Sequence, residues 1–198
     1  MRSSKSLKII EGNLVLDSDT KFDCSIEVHG YIYGDFSLKV SGDIEAYGIF
    51  VQSINAKDIH AGKVIVNGDI IADNIDVESI MARNITANNI TTIYNIDAFD
   101  ISANSIDSYN INSDDIEVSK NIVARSITAS DISVDGDIYA QDINAWDITA
   151  KKIDVQFVIA ENLKVSSKFL AAELILKRSS WERMAISADL KERYDIGE

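Results

Sequence analysis

The chain contains no proline, one cysteine and two histidines among its 198 residues. Each scarcity removes a class of explanation. Cys24 has no second cysteine to pair with, and without Cys/His clusters at ligand spacing no zinc or other metal centre is expected. His29 and His60 stand beside glycine and β-forming residues, outside any nucleophile motif. No Walker loop, GxGxxG, GxSxG or HExxH occurs, so the expectation is a non-enzymatic chain without a cofactor. No apolar run approaches membrane-spanning length, and the start, MRSSKSLKIIEG, lacks a signal-peptide core. A cytoplasmic protein with no membrane partner is therefore expected.

Cations are scarce where anions are not. The formal net charge is -13, and residues 40–165 hold eight basic against twenty acidic side chains, whereas residues 1–39 and 166–198 are nearly balanced. Stretches 84–119 and 126–150 contain no Lys or Arg at all. Nucleic-acid binding needs Lys/Arg clusters that displace counterions, so no direct nucleic-acid binding is expected. The surface is solvated and self-repelling, and suited, if to anything charged, to a basic partner.

Isoleucine dominates what is present, and it is organised. From Ile44 to Val165 a unit Ile-x-Ala-x-(Asp/Asn/Ser) repeats, as in INAKDIHAGK and IYAQDINAWDITAKKID. A period of five would rotate an apolar stripe around a 3.6-residue helix. In a strand, residues i and i+2 share a face, so each unit reads as a three-residue strand and a two-residue corner. Asp, Asn and Ser suit the corner because their short side chains bond nearby backbone groups. Stacked corners should then form polar ladders. No unit buries its apolar edge alone, so units must stack and the ends need caps.

Before the strict repeat, VHGYIYGDFSLKVSGDIEA alternates apolar and polar residues with glycine at regular intervals. This stretch resembles the repeats of bactofilins, bacterial cytoskeletal polymers built as right-handed parallel β-solenoids without nucleotide; the resemblance covers roughly residues 10–75. The five-residue period also resembles the pentapeptide-repeat family, with the large and small positions in reversed order. The Ile-x-Ala-x-Asp-Ile runs are similar to bacterial and phage proteins that supply no chemistry to carry over.

The fold expected is an all-β parallel β-solenoid of five-residue units with about six to eight coils, a rod near 40 Å, and a short C-terminal helical cap. Residues 1–8 read as a flexible tail, 9–165 as the solenoid and 166–198 as a cap or oligomerisation segment. Phe169, Leu170, Trp181, Met184 and Leu190 are its candidate contact residues, and a helix is predicted after Ser179 or Ser180. Three units per turn (15–16 residues) are favoured over four (about 20) on the bactofilin-like start. Six-residue spacings, such as Val64 to Ile70 and Ile90 to Ile96, fit neither period cleanly.

The expected function is a scaffold presenting a rigid surface to itself, as a homo-oligomer, or to a protein partner. Candidate surface residues are the outward aromatics Phe99, Tyr109, Tyr139 and Trp146, together with Asp97, Asp100, Asp107, Asp114, Asp115 and Glu117. The alternative is an acidic mimic of nucleic acid that occupies a DNA- or RNA-binding enzyme, of the kind phages and mobile elements use. Against it, the Asp residues preceding Ile are scattered over unit positions and need not share a face. Clusters such as Asp114, Asp115 and Glu117 read as solvated corner carboxylates and not as a calcium site, because the glycine-rich nonapeptide of calcium-binding β-rolls is missing.

Overall fold

The structure is a computed structural model that describes residues 6–176. Its strands form one continuous parallel sheet, in which each pairs with the segment one turn earlier and one turn later. The chain thus winds as a parallel β-solenoid of about 11 turns at a spacing of about 16 residues. At roughly 4.8 Å per turn the rod is about 50 Å long.

Three columns of large apolar residues fill it, one per face. Ile44, Ile59, Ile75 and Ile90 stack on the first face, Ile49, Val64, Ile80 and Ile96 on the second, and Ile54, Ile70, Ile85 and Ile101 on the third. Three units per turn are therefore correct, and the cross-section has three sides. The Ile residues are essentially inaccessible, and the alanines two residues later, such as Ala72, Ala87 and Ala103, are buried at the inner corners. Small or β-branched residues fill that place, with Val77 and Val118 taking it in turns next to Ala61 and Ala103. Each fully buried Ile contributes roughly 1.5–3 kcal/mol, so the core is a sum of many equal, stacked increments.

The six-residue spacings have a simple cause. The extra residue lies at a corner, and not at the same corner each time: Val64 to Ile70 passes from second to third face, Ile90 to Ile96 from first to second, and Ile116 to Ile122 from third to first. Turns of 15 and 16 residues consequently alternate without a fixed rule, while the inward columns stay in register.

The coil count of six to eight was too low. The first turns are larger, with partners 18 residues apart, as in Leu7 with Ser25 and Leu14 with Ile32. Val28 and Val40 occupy their inner corners in place of alanine. At the other end Asn162–Leu176 adds a further turn past the last Ile-x-Ala unit, stacking Phe169 on Ile153 and Leu174 on Val158. Gly34, at φ +148°, closes one of the wide turns; a Cβ there would lie 2.3 Å from the Leu16 carbonyl oxygen.

Polar groups inside are paired. The Thr92 and Ser108 hydroxyls take inner-corner positions one turn apart and bond at 2.7 Å, and Ser113 Oγ donates to the Phe99 carbonyl at 2.7 Å. Phe169 is buried on the first face and Leu170 points outward beside it. Trp181, Met184, Leu190 and the predicted terminal helix lie outside the described residues. No helix among the described residues is long and apolar enough to cross a membrane.

Candidate interaction surfaces

The corners build the ladders that their composition implies. Asn89 Nδ2 donates to Asn74 Oδ1 at 2.8 Å, Asn74 Nδ2 to Asp58 Oδ1 at 2.7 Å, and Asn110 Nδ2 to Asn95 Oδ1 at 3.0 Å. An amide between two turns satisfies both, whereas a carboxylate in the same place can only accept.

On the third face this rule is broken in a run. The residue before the inward Ile is Asp100, Asp115, Asp131 and Asp147 in four successive turns, all in register. Asn84 precedes the run, and Asn162 ends it by donating to Asp147. The four carboxylates stand about 4.8 Å apart along the axis, with no amide between them. Asp114 and Glu117 flank Asp115 on the same strip. Partial burial, then the Asp147 and Asp115 charges, raise the Asp131 carboxyl above the ordinary 3.8. The aspartates preceding Ile do lie on all three faces, Asp43, Asp58 and Asp137 on the first and Asp142 on the second, but for these four corner insertions hide a three-unit recurrence that the backbone register restores. Asp97 and Asp107 do not join them, since Asp97 lies on the second face beside Asn112 and Asp107 on the first between Thr91 and Val123.

The four outward aromatics form no common patch. Phe99 and Trp146 share the corner before the third face but are separated by Asp114 and Ser130, a gap of three turns. Tyr109 occupies the corner before the second face, with the Arg125 guanidinium 4.9 Å from its ring centre. Tyr139 lies on the first face, half-buried under Lys152 Nζ at 4.5 Å, and its hydroxyl donates to Asp137 at 3.0 Å.

A different apolar strip exists, and sequence reasoning missed it. On the second face, the outward residue between the two inward ones is Val15, Tyr33, Phe50, Ile65 and Met81 in the first five turns. Val15 (56% exposed), Tyr33 (40%) and Met81 (49%) are open to solvent. Beside them Tyr31 packs edge-on to Tyr47, with ring centroids 6.2 Å apart, and 6.1 Å from Phe50. Gly48 makes this possible, since a Cβ there would sit 3.1 Å from Tyr31 Cδ1 and 3.3 Å from Phe50 Cε2. The available signal was the apolar residue directly after each inward one in LVL, YIYG, IFV, VIV and IMA. Followed to the last turn, Ile175, this outward column contains one charged residue, Asp97.

Both histidines face carboxylates on the surface. His29 bonds Glu27 through Nε2 at 2.7 Å and Glu11 through Nδ1 at 3.1 Å, tying the first turn to the second, and these carboxylates raise it above 6.5. His60 lies 3.7 Å from Asp76. Among the described residues no group of three or more His, Cys, Asp or Glu side chains converges to hold a metal ion. No family model, curated protein or solved structure matches the chain.

Proposed function

We propose that this chain is a non-enzymatic scaffold, a rigid three-sided rod that presents chemically different faces to protein partners, itself included. The observation that carries this reading is the sorting of its surface: an uncharged aromatic strip on the second face and an uninterrupted carboxylate column on the third. Exposed aromatics grouped in this way characterise protein interfaces, and solenoids bind along their extended faces. A bactofilin-like role in self-assembly is one form of the reading, because the residues carrying that resemblance supply the turns that bear the strip. Cytoplasmic location belongs to the same proposal. The test is retention of a protein at fixed stoichiometry by the immobilised wild-type rod, and its loss when Tyr31 and Phe50 are both replaced by Asp. Equal retention by both rods, or none by either, contradicts the proposal.

A second reading, the acidic decoy, gains support from the aspartate column. Asp100, Asp114, Asp115, Glu117, Asp131 and Asp147 fall on one strip within four turns. That is about one charge per 3 Å of axis, against about one per 1.7 Å in duplex DNA. It predicts salt-sensitive competition with DNA or RNA for a basic partner, abolished by changing the four column aspartates to Asn. Binding that persists in that variant excludes it.

A further inference from the structure

We infer that the second-face strip is a self-pairing surface: two copies meet antiparallel through their first five turns. The inference rests on the scaffold reading and names the occupant of one face. Three observations select a second copy. The first is construction, because Gly48 lets the Tyr31 and Phe50 rings pack together beside Tyr47, giving one contiguous apolar surface.

The second is charge. A chain of net charge -13 repels its copies over most of its surface. The outward column from Val15 to Met81 carries none, and its edges are mixed in sign, with Lys63 and Glu78 on one side and Asp17, Asp35 and Arg83 on the other. A strongly basic or acidic partner would find no complementary charge on the column itself, whereas a second copy needs none.

The third is geometry. With antiparallel rods overlapping only in the first five turns, the carboxylate columns of Asp100 to Asp147 in the sixth to ninth turns lie beyond the overlap at opposite ends. Parallel pairing would instead hold the acidic sixth to ninth turns of both rods at the same height, with the two columns about one face width, roughly 15 Å, apart on opposite edges of the contact. The strip spans about 24 Å by 15 Å per copy, so pairing buries on the order of 700 Å² in total, which places it among weak, reversible contacts.

Sedimentation velocity on the whole chain, from micromolar to several hundred micromolar, should show a reversible monomer–dimer equilibrium that tightens with salt as the repulsion is screened. Tyr31→Asp and Phe50→Asp should each weaken it at least about tenfold, an order-of-magnitude expectation for a charge placed in an apolar contact. Trp146→Asp, at a corner of the ninth turn beyond the overlap, should leave it unchanged. Circular dichroism of each variant separates a lost contact from a lost fold. In a Cys24→Ser background, Tyr47→Cys should oxidise to a linked dimer and Ser102→Cys should not. A wild-type chain monomeric throughout, strip variants that dimerise normally, or linkage at residue 102 in preference to 47 would each overturn the self-pairing. A monomer that still retains a different protein through the strip overturns the self-pairing alone; a monomer that retains nothing overturns the scaffold reading as well.

Discussion

At the scale of single residues, identical chemistry has opposite effects according to register. Asn in a corner column links turns, as Asn89 does between Asn74 and its own turn, whereas Asp115 and Asp131 at the equivalent place on the third face meet only other carboxylates. Asp131→Asn should therefore stabilise the rod, by about 0.2–1 kcal/mol, since it removes like charges from both neighbours and restores a donor. Differential scanning calorimetry reads this as a small rise in Tm; a fall would show that the column is compensated in some other way. Because the Asp131 pKa is raised on folding, its charge opposes the folded state at neutral pH, and that opposition is relieved as pH drops through the raised value.

His29 has the opposite sign. Its imidazolium is held by Glu27 and then Glu11, so its contribution is fully present below the unfolded value near 6.5 and is lost as pH rises through the higher folded value. Histidine ring resonances followed by NMR should titrate above 6.5 for His29, and Glu27→Gln should move that midpoint down. An unshifted midpoint in the wild type would mean that the pair with Glu27 is not populated in solution.

At the scale of the repeating unit, most of the fold is legible in the chain. Ile-x-Ala announces a strand with a large and a small inward residue, and that reading holds from Ile44 to Ala160. Six to eight turns follow from the strict repeat at three units per turn or from residues 9–165 at about 20 per turn, whereas 15–18 residues per turn over the whole rod, with a last turn carrying Phe169 and Leu174, give about 11. The first and last turns obey the same inward alternation under a different composition. The aspartate column was hidden for a related reason: corner insertions shift linear spacing without shifting register, so Asp115 and Asp131, 16 residues apart, look unrelated to Asp100 and Asp115, 15 apart. The strip at Val15 to Met81 was missed because attention to the inward pair discounts the residue between them. Ile106→Asp should unfold the rod, because it removes a buried side chain worth roughly 1.5–3 kcal/mol and leaves an unpaired buried charge. Thermal denaturation decides this: wild-type stability would show the inward register to be wrong.

At the scale of the whole molecule, folding converts a nearly uniform acidic repeat into an object with distinguishable sides. The sorting arises only because three units close each turn, which brings every third unit onto one face. Scaffold, decoy and self-pairing surface all depend on that closure. It can be measured by pulsed electron–electron double resonance between nitroxides at residues 45 and 154, using Glu45→Cys and Asp154→Cys in a Cys24→Ser background diluted with unlabelled protein. Both positions lie on the outward column of the first face, seven turns apart in register. At about 4.8 Å per turn their backbones are separated by about 34 Å. A distribution centred near that value supports the three-sided rod; one centred near 26 Å, as expected for about 20 residues per turn, would contradict it and dissolve the faces on which every functional assignment stands.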